Sequence, residues 1–394
     1  MEHTSQTALP RPMHAVTALP AEARLHDIAQ ARRLVMGEGR ELPPQVLGAQ
    51  RDWIQRSWRR CLQRGRRPEE RVEFDCVPRS ALKASEERHH ELLKVAAPLL
   101  DQLARAIART HYFAMLTDAQ GMVIDVRGAL DRADRRVRCI ARVGVDLSEA
   151  SIGTSAIGAA LGELQPVWLH RGEHFYRDTS VYSCAGAPLF GPDGHCVGML
   201  DLTGVDAQER PELADLAAQA ARRIENALVL ASPHALSLRL NWPGHELGSE
   251  SDALLGLDAD GWIVAANRAA RSLLPQLAGL GAPVHAGEVF ALAPQRLFEH
   301  ARASELLDTG PMELPLWSGL LVQLRARRAG QEGRGPLASA RSRMSLQQLE
   351  DALVRQAVAS ARGNVAEAAR ALGVSRATVY RKLGGRGPRA ESTK

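Results

Sequence analysis

"GNVAEAARALGVSRATVYRKLGGR", residues 363–386, is short, carries five positive residues and has a single interior glycine break, at Gly373. Val365, Ala368, Ala369 and Leu372 recur at helical spacing and predict one apolar face. Asn364 precedes them with Glu367 three residues on, the arrangement of an N-cap with a capping-box partner. Gly373 follows at the position where a helix ends in a left-handed residue. Ser375 then restarts a helix whose inner side holds Val379, and small Ala369 lets two helices cross closely. The pattern is a helix-turn-helix, whose second helix enters the major groove of double-stranded DNA. The candidate DNA-binding residues are Asn364, Ser375, Arg376, Ala377, Thr378, Tyr380, Arg381 and Lys382. Arginine takes guanine through two hydrogen bonds, threonine meets a thymine methyl, and lysine and serine suit phosphates.

Residues 345–386 resemble the Fis-type DNA-binding domain that ends many bacterial enhancer-binding activators. The resemblance implies a homodimer built on a preceding helix, for which Leu346, Leu349 and Leu353 supply an apolar stripe. Dimers of this kind read half-sites about one helical turn apart.

The 394 residues suffice for two or three domains. Basic charge gathers at two places. Residues 341–394 hold eleven Lys/Arg against four Asp/Glu, and residues 51–71 hold eight against three. The C-terminal excess fits a nucleic-acid footprint, and the N-terminal one fits a solvated helix face. No apolar run approaches the roughly 18 residues of a membrane helix. The first twenty residues lack the basic head and apolar core of a signal peptide. Five widely spread cysteines without a C-x-x-C predict reduced thiols and a cytoplasmic chain.

Upstream, residues 1–50 read as a loose arm with one short helix near 21–35. An amphipathic helix is expected over 84–110. Three segments read as β-hairpins: "YFAMLTDAQGMVIDV", "APLFGPDGHCVGMLDLTG" and "ALLGLDADGWIVAAN". "LQPVWLH" adds a strand, and 209–230 a helix. The expected fold class is α+β and multidomain, with an all-α C-terminal domain. Residues 231–250 and 328–344 read as linkers.

"SWRRC", "VGVDLSEASIGTSAIGAAL", "GEHF", "CAGAPLFGPDG" and "GMLDLTG" occur in that order. Together they resemble the GAF sensor domain of acetoin- and glycerol-type bacterial activators, over residues 51–230 with its N-terminal helices. Residues 251–327 resemble the PAS domain that follows in those proteins. The resemblance implies a small-molecule effector in the GAF cavity, lined by Thr154, Ser155, Trp168, His174, Phe175, Tyr182 and Cys184. Two positions depart from the family, which usually has Trp at Leu147 and Asn at Ser155, so the effector need not be the usual one.

The family's central ATPase needs G-x-x-x-x-G-K-[ST] to hold phosphates. The four lysines here, Lys83, Lys94, Lys382 and Lys394, never follow glycine. No ATP hydrolysis, no cofactor and no enzymatic activity are expected; activation through RNA polymerase contacts and repression are both left open. "HRGEH", residues 170–174, matches an inverted zinc-protease motif, but it follows a strand and contains Gly172, so a zinc hydrolase on His170 and His174 is the lesser reading. Cys184 and Cys196 offer either inert core or a redox pair. A nucleoid-type DNA-binding protein without ligand response is the remaining alternative.

Overall fold

The structure, a computed structural model, describes residues 21–42, 52–277, 279, 282–307, 310–330 and 363–383, with 354, 357, 358 and 361 between them. Clustering of contacts divides the chain into two units. The first holds most of residues 1–218, and the second holds His89–Leu99, Leu189–Val197 and everything from Gln219.

In the first unit, α1 (Ala21–Arg32) runs into a π-helical turn, Arg33–Gly37. This is the short helix expected near 21–35, and it is packed rather than loose. Ala31 and Val35 are fully buried in one core with Trp53, Ile54 and Trp58, and that burial is the physical reason. α2 (Asp52–Gln63) carries those three side chains. α3 (Arg79–Arg88) follows; α4 (His90–Ile107), which belongs to the second unit up to Leu99 and to the first from Leu100, buries Leu92, Ala96, Leu100, Leu103 and Ile107 at helical spacing.

β1 (Tyr112–Asp118) and β2 (Val123–Arg127) form the first hairpin. Its turn is set by Asp118, whose Oδ1 accepts from the amides of Gln120 (3.0 Å) and Met122 (2.9 Å). Three short helices come next, α5 (Arg135–Ile140), α6 (Glu149–Ile152) and α7 (Ala156–Glu163). β3 (Val167–His170), β4 (Tyr182–Phe190) and β5 (Cys196–Val205) complete a five-stranded sheet of order β2-β1-β5-β4-β3. The register pairs Met115 with Asp201, Phe113 with Thr203, and Leu169 with Cys184. β1 is buried along its whole length, so its run is apolar rather than alternating.

α8 (Leu213–Ala231) matches the expected helix. The expected linker after it is instead a strand, β6 (Leu236–Asn241), in the middle of a second sheet of order β8-β7-β6-β10-β9. The reason is alternation: Leu236, Leu238 and Leu240 point into the second core and are fully buried. β7 (Ala253–Leu257) and β8 (Ile263–Ala266) form the third hairpin, turned by Asp258 as Asp118 turns the first. α9 (Arg268–Leu273), α10 (Ala286–Val289) and α11 (Pro294–Leu307) supply Ala270, Val289, Phe290 and Leu297 to that core, and β9 (Met312–Pro315) and β10 (Leu321–Arg328) close the sheet. β1 pairs antiparallel with β2 and β5, β3 with β4, β6 with β7 and β10, β7 with β8, and β9 with β10. The C-terminal part contains α12 (Val365–Ala371) and α13 (Arg376–Leu383). The leucine stripe at 346, 349 and 353, and the interior of the second linker, lie outside the described residues.

Candidate functional site: a lined cavity and a basic helix pair

A cavity lies in the first unit, with free space of about 30 Å3. That holds one or two waters. Its apolar wall includes Phe74, Met115, Ile140, Leu147 and Ile152; its polar wall is Ser155, His174, Thr179, Tyr182, Cys184, Asp201 and Thr203.

The polar wall has a defined hydrogen-bond order. The Cys184 thiol lies 3.2 Å from Thr203 Oγ1, and the Thr203 hydroxyl donates in turn to Asp201 Oδ2. Burial holds the thiol well above its usual range, so it stays a donor. Burial also raises the Asp201 carboxyl to about 7, against the single favourable bond from Thr203. Asp201 Oδ1 has no partner among the described residues. On the other side, His174 Nδ1 lies 3.0 Å from the carbonyl of Arg171, so Nδ1 carries the proton and Nε2 is left as an acceptor. Nε2 is buried and also has no partner. Burial lowers this imidazole to about 4, so it is neutral at pH 7. Two fully buried polar atoms without partners in one cavity are an unusual cost.

Four of the seven expected lining residues, Ser155, His174, Tyr182 and Cys184, are in the wall. Three are not. Thr154 turns toward α2, where its hydroxyl lies 2.7 Å from Ser57 Oγ and 3.8 Å from Cys61 Sγ. Ser57 also donates to Glu149 (2.7 Å), and Arg60 holds that carboxylate with two bonds of 3.0 and 2.8 Å. The motifs "SWRRC" and "SEASIGT" are thus the two halves of a docking contact. The contact absorbs part of the basic run at 51–71: Arg64 also pairs with Glu149, and Arg56 with Glu163. Trp168 stacks on His170 at 6.2 Å, and Phe175 packs edge-on to Tyr176 at 4.9 Å; both belong to the surrounding packing.

Asp201, Thr203, Thr179 and Met115 were not expected. The available signal is in "GMLDLTG": Met199, Asp201 and Thr203 alternate along a strand that is buried on both faces, so two polar residues had to enter the core.

The zinc-protease reading loses its acid. Both oxygens of Glu173 are engaged, one by Arg24 (3.0 Å) and one by the His170 amide (2.7 Å), and His170 Nδ1 meets Ser183 at 2.8 Å. No cluster of three or more metal-binding side chains exists among the described residues. Cys184 bonds near the far end of β5, whereas Cys196 opens that strand, so the two are not a disulfide pair; none of the five cysteines is in a disulfide.

In the C-terminal helix pair, Asn364 Oδ1 accepts from the amides of Ala366 (3.1 Å) and Glu367 (3.2 Å). The return bond of a capping box is not among the described ones: the Asn364 amide donates to Ala361 instead. Gly373 adopts φ +66°, and Val354, Ala369 and Val379 form the small core between the helices. Ser375 caps α13, accepting from the Thr378 amide at 3.1 Å. Arg376, Ala377, Tyr380 and Arg381 are exposed, with Thr378 and Lys382 half-buried. Neither Arg376 nor Arg381 has an ion-pair partner among the described residues.

Two family models match the chain. One, described as MimR, N-terminal domain, matches residues 27–226; the other, described as bacterial regulatory protein, Fis family, matches residues 345–384. The acetoin catabolism regulatory protein of Cupriavidus necator is 34% identical over 251 residues, which is 61% of this chain and 37% of that protein. The propane 2-monooxygenase operon transcriptional activator MimR of Mycolicibacterium smegmatis is 34% identical over 140 residues, 35% of this chain and 24% of that protein. The match thus spans well under half the length of both relatives. Among solved structures, the E. coli DhaR(N)–DhaL complex aligns at a TM-score of 0.43 and 16% identity, over 69% of this chain and 98% of that one.

Proposed function

This chain belongs to the family of the MimR N-terminal domain, and from that premise we propose that it is a ligand-responsive, sequence-specific DNA-binding transcription regulator. The first unit is a GAF-type sensor, the second sheet a PAS-type relay, and α12–α13 the DNA reader of a homodimer. Thr154, Trp168 and Phe175 support the sensor from its packing rather than from its wall. The observation that carries the reading is the pair of buried, unpartnered atoms, His174 Nε2 and Asp201 Oδ1, on two residues that line one cavity, in a chain that also presents a capped basic helix pair.

The cavity selects by chemistry. No Lys or Arg lines it, His174 is neutral, and Asp201 opposes a second carboxylate. Its effector is a small neutral compound with at least one hydroxyl to donate. Anything larger than two waters moves the wall. An effector acts only through better binding to one arrangement of the dimer than to another. Regulation, whether activation or repression, proceeds without ATP hydrolysis, because no phosphate-binding Gly-Lys occurs in this sequence.

The test combines thermal shift with a DNA footprint on the promoter region beside the gene. A panel of small alcohols and hydroxyketones, including acetoin, should raise Tm and change DNA affinity. A sequence-specific footprint that no compound alters, with no thermal shift, sinks the sensor reading. Absence of any specific footprint sinks the regulator reading.

A further inference from the structure

Arg32 is the last residue of α1, half-buried, and among the described residues no carboxylate hydrogen-bonds to it. Its guanidinium spends its donors on backbone. Nη1 donates to the carbonyls of Gly172 (2.7 Å) and His174, and Nη2 donates to that of Phe175 (2.8 Å). The group also lies over the Trp58 ring, 5.9 Å from its centroid. A half-buried cation held by three carbonyls of one short segment is costly to keep, and a rigid planar fork is the side chain that fits such a task.

Two further contacts join the same helix to the same segment. Arg24 pairs with Glu173 at 3.0 Å. Gly172 gives the close approach: a Cβ there would stand 3.1 Å from Ile28 Cγ2 and 3.4 Å from Arg32 Cδ. Residues 170–175 are thus shaped by α1 from one side and present His174 to the cavity on the other.

We propose that Arg32 is a positioning residue of the cavity: it gathers the carbonyls of Gly172, His174 and Phe175 and so fixes the turn that places His174 in the cavity wall. The inference rests on the reading of this cavity as the effector site. It makes α1 part of the sensor, in that any effector that displaces His174 works against the Arg32 contacts.

The test needs no effector. In the full chain with Cys61→Ala, Cys76→Ser, Cys139→Ser and Cys196→Ser, only Cys184 remains for labelling by methyl methanethiosulfonate. Arg32→Ala should speed labelling at least tenfold. Gly172→Val, which pushes α1 away from the other side, should do the same and serves if Arg32→Ala fails to fold. Val123→Ala, on the opposite edge strand β2 and chosen for a comparable loss of Tm, should change the rate less than twofold. A second readout is the His174 ring-proton titration by NMR, assigned by its loss in His174→Gln. It should move up toward the ordinary histidine range in Arg32→Ala and stay put in Val123→Ala. Labelling at the parent rate in both Arg32→Ala and Gly172→Val overturns the proposal. So does equal acceleration by Val123→Ala, which would make stability the cause. The labelling rates are judged without ligand, so a failed effector panel leaves this result standing, and the reverse holds too.

Discussion

Asp201→Asn should change how stability depends on pH, by an amount the cavity geometry sets. In the folded chain Asp201 titrates at about 7, against 3.8 for an ordinary aspartate. The folded state therefore holds more protons than the unfolded one across that interval. Its stabilising effect is full below 3.8 and is lost as pH rises through 7. His174 has the opposite sign. It titrates at about 4 against 6.5, so its contribution is present above 6.5 and is lost as pH falls through 4. Each slope is about 1.4 kcal/mol per pH unit, and between 4 and 6.5 they cancel. Asparagine keeps the Thr203 bond and removes the proton. Relative to wild type, Asp201→Asn should then gain stability with rising pH, by roughly 4 kcal/mol between 3.8 and 7. His174→Gln should show the reverse, losing roughly 3 kcal/mol relative to wild type between 4 and 6.5. The assay is urea unfolding at half-unit pH steps. Trp242, Trp262 and Trp317, all exposed, are replaced by Phe, so that buried Trp53, Trp58 and Trp168 report the first unit. Profiles of Asp201→Asn and wild type that run parallel from pH 4 to 7 would refute the account of the cavity as a site of two oppositely shifted, independently buried groups.

Other expectations are simpler to score. Gly198→Ala would set a Cβ 2.1 Å from the Thr117 carbonyl oxygen, which neighbouring backbone cannot yield; it should cost about 3 kcal/mol, and an unchanged Tm would show the sheet is laxer than described. Arg376→Ala should cost about 1–3 kcal/mol on the specific DNA site and blur one base position. Arg381→Ala and Lys382→Ala should weaken all sequences alike and lower the salt slope by about one each. Titrations on specific and scrambled DNA separate the two classes, and equal loss on both for Arg376→Ala removes it as a base reader. Purified protein should show no nucleotide hydrolysis; activity that co-elutes with it through a second column contradicts the missing phosphate loop.

The hairpins were readable because an Asp-led turn between apolar runs is a local signal, and Asp118 and Asp258 satisfy it within four residues of themselves. The helix-turn-helix was readable for the same reason: caps and turn glycine are short-range. β6 was missed because Pro, Asn and Gly around "LSLRLN" masked its alternation. The helix near 21–35 was readable but its packing was not, because its partners are Trp53, Ile54 and Trp58 on another helix and, more than a hundred residues away, the carbonyls of residues 172–175. The cavity was half readable. Resemblance brought the right segments together, but one residue decides direction: Thr154 faces α2 while its neighbour Ser155 faces the cavity. Asp201 and Thr203 needed the register of β1 against β5.

Ser155 holds two posts at once. Its side chain caps α7, accepting from the Gly158 amide at 3.1 Å, and it also stands in the cavity wall. The residues that cap helices well, Ser, Thr, Asn and Asp, differ in size and in the groups they present sideways. Exchange among them keeps the helix start intact while altering what the cavity admits. The asparagine that the resembled family usually has at this position and the serine found here are two members of that set. On the proposed sensor reading, a lineage can therefore drift from one effector to another through this codon without passing through a misfolded ancestor. The docking contact made by Thr154, Ser57 and Glu149 stays outside the exchange.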